Sequence, residues 1–209
     1  MIAPLTQGVG MLRLVWLLSI VVGLSSPPRA EALGTIDFEG LSDGTVLVAQ
    51  FAGAGFSNAV VLGSGLSLNE FEFPPHSGAN VASDDGGAMQ IVFDAPVVEV
   101  SAFFTYTVPL TLTAFDVGGN AVATAASLFS SNLALSGAAG SSANEFIMLA
   151  APLGISRLVI AGDALGASFV LDDLAITVVP EPASDALMLS GMLLLGVAAR
   201  ARRQQGQRP

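Results

Sequence analysis

Along most of the chain, apolar and polar positions alternate in short runs, broken by Gly, Asn, Asp or Pro about every 8 to 12 residues. The pattern predicts strands over residues 35–39, 46–51, 56–62, 89–93, 97–107, 111–117, 121–128, 145–149, 157–161 and 168–178. In the fifth of these, Val98, Val100, Ala102, Phe104 and Tyr106 share one face, and Glu99, Ser101 and Thr105 share the other. Phe103 falls on the polar face and breaks the alternation. Residues 116–120 (Asp-Val-Gly-Gly-Asn) read as a tight hairpin, because Gly and Asn tolerate positive φ. No amphipathic helix of ordinary length interrupts the series. About ten strands in roughly 145 residues predict an all-β fold, a single antiparallel β-sandwich of jelly-roll-like form over 33–178.

Two stretches are less regular. Residues 63–87 form a long, acidic, proline-broken connection, and residues 129–144 form a loop of small residues with freedom to move. Long loops on sandwiches carry binding sites more often than strands do. The first is therefore the candidate surface-binding loop, with Asn69, Glu70, Glu72, His76, Asp84 and Asp85 as its chemistry-bearing residues.

The two ends do not follow the strand pattern. Near the N-terminus, Arg13 precedes the apolar run Leu14 to Leu24, too short to span hydrocarbon and suited to the core of a signal helix. Pro27 and Pro28 then break any helix, and Ala30-Glu31-Ala32 offers the small residues a signal peptidase reads, which places a signal peptide at 1–32. A buried hydrophobic helix is the alternative, and Met11 is an alternative start to Met1. At the other end, residues 183–199 rise about 1.5 Å each as a helix, roughly 25 Å in all, the lower limit for a transmembrane helix. Arg200, Arg202 and Arg203 follow at once, so the positive-inside rule puts 204–209 in the cytoplasm and the β domain outside. Pro180 and Pro182 flank Glu181 and fix an extended, exposed corner ahead of that helix.

Charge narrows the partners. All seven basic residues are Arg, and there is no Lys and no Cys. Between residues 35 and 179 lie 14 of the 17 acids and one cation, Arg157, which leaves 14 − 1 = 13 net negative charges. Such a surface repels phosphate, so nucleic acid is not an expected partner. With no disulfide available, the domain must rest on core packing or bound metal. A catalytic set is also short of parts: His76 is the only histidine and no G-x-S-x-G turn accompanies it. No catalytic residue is assigned and the protein is not expected to be an enzyme. Paired carboxylates of a glycoside hydrolase stay open as an alternative, because sequence alone cannot place two acids across a cleft.

Calcium is the expected cofactor if there is one, as a structural ion, since hard cations need clustered carboxylate and carbonyl oxygens. The acid clusters are Asp37 and Glu39 at the start of the domain, Asp84 and Asp85 in the long loop, and Asp172 and Asp173 in the last strand, with the first and last pairs as the candidate ligands of one ion. Strict alternation puts Asp172 on the same face as Val170, Leu174 and Ile176, where a carboxylate needs a partner. The other interpretation is exposed turn acids and a strand-end carboxylate bonded to backbone.

Val179-Pro180-Glu181-Pro182, the apolar helix and the arginine cluster together resemble the PEP-CTERM sorting signal of Gram-negative bacteria. The resemblance covers about the last 30 residues. It implies recognition by exosortase, a transient hold in the inner membrane with the domain in the periplasm, and delivery to the cell surface or an extracellular polysaccharide matrix. A permanent single-span anchor is the alternative. The Phe-Glu near the start and the Asp-Asp near the end also resemble the galactose-binding-like jelly rolls of carbohydrate-binding modules, which would put Glu39 and Asp172 beside a structural calcium. Against sugar binding, the domain has no Trp, and its one Tyr, Tyr106, belongs to the core face. The expected function is a non-catalytic exported surface or biofilm-matrix protein, with a calcium-stabilised carbohydrate-binding module as the alternative.

Overall fold

The computed structural model describes residues 31–178, 191–196 and 200. The predicted leader core, Val179, the Pro-Glu-Pro corner, Arg202, Arg203 and the tail 204–209 lie outside the described residues. Of the predicted 183–199 helix, residues 191–196 are described and are helical. Among the described residues no helix is long and apolar enough to cross a membrane. Ala30–Val179 forms one compact unit, and the helical residues belong to a second.

Nine strands build the compact unit: β1 (Glu31–Ile36), β2 (Ala54–Ser57), β3 (Ala59–Gly63), β4 (Asn80–Asp85), β5 (Met89–Tyr106), β6 (Thr111–Phe115), β7 (Ala121–Ala126), β8 (Glu145–Ala161) and β9 (Gly166–Val178). All named pairings are antiparallel, in the order β3-β4-β9-β5-β8-β6-β7, with β1 added to β9 and β2 to β5. This is the antiparallel β-sandwich architecture that the alternation predicts.

The differences from the predicted strands have local causes. Residues 89–93 and 97–107 are one strand, β5, because register shifts around Val97 absorb Pro96 without ending the pairing to β8. Residues 145–149 and 157–161 likewise join into β8. Residues 56–62 instead divide into β2 and β3 at Asn58, whose φ of 56° turns the chain while its side-chain amide donates to the Ala88 carbonyl at 3.0 Å. Residues 46–51 are not a regular strand. Only isolated bridges form there, and the Gln50 side chain bonds both the Val48 N–H and the Val46 carbonyl. Residues 63–87 are not wholly irregular, since they contain β4. The 116–120 hairpin closes as expected, with Asp116 N–H donating to the Asn120 carbonyl at 2.9 Å.

One core runs through the domain. Phe38, Phe56, Ile91, Phe104, Leu158, Phe169, Leu171, Leu174 and Ile176 all belong to it, each contributing about 1.5–3 kcal/mol of hydrophobic stabilisation on burial. Phe38 meets Phe51 and Phe56 edge to face, with centroids at 5.6 and 6.2 Å. Tyr106 is fully buried, as its strand face predicts, and its hydroxyl bonds the Glu145 carboxylate. Burial first, and then the Glu145 contact, push its phenol above the ordinary value. A second, smaller cluster joins Leu68, Val81 and Val170 with Leu62 and Phe73.

Candidate functional site: a groove across four strands

β1, β9, β5 and β8 lie side by side, and two rows of side chains cross them. In the first row Thr35 faces Ala175, Ala175 faces Ser101, and Ser101 faces Met148. In the second, Phe103 lies between Asp172 on β9 and Phe146 on β8. Asp37 follows directly after β1. Thr35, Asp37, Ser101, Phe103, Phe146, Asp173 and Ala175 line a groove of about 410 Å3.

A β-bulge makes this surface. On passing from Ser101 to Phe103, the pairing on β9 steps from Ala175 to Asp172, so Asp173 is an extra residue, with φ of 49°. The inserted residue reverses the alternation of β9. Phe169 and Leu171 before it, and Leu174 and Ile176 after it, all reach the main core. Asp172 therefore does not share a face with Leu174 and Ile176, contrary to strict alternation. It lies on the side of Val170, which packs in the smaller cluster.

The long connection after β3 folds back over the bulge. The His76 ring stacks flat on Phe103, centroids 3.4 Å apart and planes within 7°, and its Nδ1 lies 2.6 Å from the Asp173 carboxylate. Ser77 donates its hydroxyl to Asp173 at 2.9 Å and its N–H to Asp172 at 2.8 Å. The other Asp172 oxygen accepts the Asp173 N–H at 2.7 Å. Burial is the largest influence on the Asp172 carboxyl and holds it above the ordinary carboxylate value, against the lowering effect of these bonds. Glu39 accepts the Ala79 and Asn80 N–H groups, both at 2.7 Å, and fixes the far end of the same segment. Gly78, φ 54°, fits there because a Cβ would sit 2.3 Å from a Glu39 carboxylate oxygen.

The candidate calcium ligands thus come near one end of the β1–β9 pair but are differently engaged. Glu39, Asp172 and Asp173 each accept N–H or O–H donors from residues 76–80 or from a neighbour, and Asp37 accepts the Glu39 N–H at 3.1 Å. Among the described residues no three acid, histidine or cysteine side chains gather as a metal centre requires. Each of these carboxylates is thus already engaged by at least one protein donor.

The candidate loop residues are also dispersed. His76 packs against two groove-lining residues, Phe103 and Asp173. The Glu72 carboxylate instead caps the 129–144 loop, accepting Leu135 N–H at 3.0 Å and Ser136 N–H at 3.1 Å, and these bonds hold it below the ordinary range. Asp84 is 1% exposed and accepts the Ser168 N–H, the Ser168 hydroxyl and the Phe169 N–H at 2.7–2.9 Å. Asp85 is exposed at the end of β4, Glu70 is half-buried, and the Asn69 carbonyl accepts the Glu72 and Phe73 N–H groups.

Sequence reasoning missed Ser101, Phe103 and Phe146. Phe103 and Phe146 stand 5.3 Å apart with planes at 55°, and Phe146 is 55% exposed. Ser101 is 9% exposed and lines the groove, yet its hydroxyl has no hydrogen-bond partner among the described residues. Arg157 lies away from this surface, over the Phe115 ring at 4.1 Å.

No curated protein matches the chain. Among solved structures, the K2 cleaved adhesin domain of Lys-gingipain is 14% identical, with 68% of this chain and 97% of that one covered and a TM-score of 0.44. The MgGH51 α-L-arabinofuranosidase, bound to arabinose, is 14% identical with a TM-score of 0.42, covering 73% of this chain but 27% of that one. The family 11 carbohydrate-binding module of the Clostridium thermocellum cellulase Lic26A-Cel5E is 12% identical with a TM-score of 0.32, covering 74% and 97%. Residues 178–203, which begin at the last residue of β9, match the PEP-CTERM protein-sorting motif.

Proposed function

We propose that the protein is a non-catalytic surface or extracellular-matrix protein, carried through the membrane and passed outward by exosortase acting on its C-terminal tail. The sorting motif at 178–203 carries this reading. It makes the chain an exported, membrane-transited protein, and it begins where the folded domain ends. Replacing Pro180, Glu181 and Pro182 by Ala tests it. The expected outcome is a precursor of unprocessed mass retained in the membrane, and a variant that reaches the medium at the mature mass of the wild type would sink the proposal.

The groove favours a second reading for the domain itself, a carbohydrate-binding surface. Phe146 presents an exposed aromatic ring beside the accessible hydroxyl of Ser101 and an exposed carboxylate, the mixture that sugar sites use to hold both the apolar and the hydroxyl side of a ring. Retention on a polysaccharide column should be lost on Phe146→Ala; retention equal to wild type would place sugar binding elsewhere or nowhere.

A further inference from the structure

We infer that the groove takes a protonated amine carried on a hydroxyl-rich body, the chemistry of an unacetylated amino sugar. The inference rests on reading the groove as a binding surface and adds the ligand's charge. Two carboxylates, Asp37 and Asp173, line it; Asp172 precedes Asp173 on β9, and the His76 ring packs against Phe103 and Asp173. Asp173 is engaged at both oxygens by His76 and Ser77, and Asp172 at both by backbone N–H groups. Asp37 differs. One of its oxygens accepts the Glu39 N–H, and the other has no partner among the described residues.

An ammonium group brings three donors and a positive charge to that oxygen, which a neutral sugar lacks and an anion would oppose. Ser101 supplies the second polar point. Most of the residue is buried, but its hydroxyl is accessible at the groove surface and bonds no protein group among the described residues, so it is free to bond a ligand hydroxyl. Phe146 closes the site with an exposed ring, against which a sugar face or a cation packs favourably.

Calorimetric titration of the full chain in non-ionic detergent tests this with oligomers of glucosamine, the fully N-acetylated oligomers of equal length, and spermidine. Glucosamine oligomers should bind best. Asp37→Asn should weaken them roughly ten- to hundredfold, the loss expected for one charge-assisted contact. Asp94→Asn removes the same charge from an exposed position outside the groove and should leave binding unchanged. Equal affinity for the N-acetylated oligomers would overturn the ammonium assignment while leaving the groove as a sugar site. Spermidine binding as tightly would overturn the hydroxyl-rich body, and an Asp94→Asn effect as large as that of Asp37→Asn would reduce the attraction to net charge. Absence of all binding, with export still dependent on the Pro-Glu-Pro corner, would remove the ligand and leave the sorting proposal standing.

Discussion

Asp84 and Asp172 are both buried carboxylates, yet their surroundings differ in kind. Three donors from Ser168 and Phe169 converge on Asp84, and its removal leaves all of them unpaired in the interior. Asp84→Ala should cost about 2–4 kcal/mol, read from the midpoint of urea unfolding. Asp172 is dominated by desolvation, so its folded-state pKa lies above the unfolded one. The folded protein then holds the extra proton, and stability from this group is present at low pH and lost as pH rises from about 4 through the raised value. Asp172→Asn, which stays neutral, should gain stability relative to wild type as pH increases across that window. A difference that is flat with pH would show that burial does not govern this group. Such detail was unevenly legible. Phe103 stood out in the sequence as an apolar residue on a polar strand face, which is the trace that a surface aromatic leaves. The bulge at Asp173 left none, since period-2 counting assumes that no residue is inserted.

At the scale of elements, apolar alternation located most strands but misjudged where they stop. Pro96 reads as a break, although a bulged strand accommodates it; Asn58 reads as strand, although its positive φ divides two. The 80–85 segment was hidden because Asp84 and Asp85 resemble turn acids, and only the donors brought by β9 explain a carboxylate inside a strand. The 129–144 loop shows the converse. Its small residues suggest freedom, yet Asn132 is fully buried, accepting the Tyr106 N–H at 2.7 Å and donating to the Phe104 carbonyl at 2.8 Å and the Ser142 carbonyl at 3.1 Å. One side chain thus ties the loop to the end of β5. Asn132→Ala should therefore raise amide exchange across 129–144 at least tenfold, about 1.4 kcal/mol of local opening, while β9 remains protected. Unchanged exchange in the loop would mean that the Glu72 cap alone holds it.

For the whole molecule, the excess of acids over a single arginine sets solution behaviour more than fold. Thirteen uncompensated charges between residues 35 and 179 repel one another in the compact state. Raising NaCl from about 10 mM to about 150 mM shortens the screening length from roughly 30 Å to 8 Å and should raise the melting temperature. A fall would indicate that attractive pairs dominate instead. This property was fully readable from composition, whereas the groove depends on four strands from distant parts of the chain being brought side by side. β9, from whose last residue the sorting motif begins, has β5 on one flank and β4, then β1, on the other. Tension on that end is directed along an interior strand, whose backbone bonds run across the pull and resist it together in shear, unlike an edge strand that peels one bond at a time. The sorting motif thus begins on a strand bonded to β1 on one side and β5 on the other, so pulling that end free means breaking bonds to two neighbours.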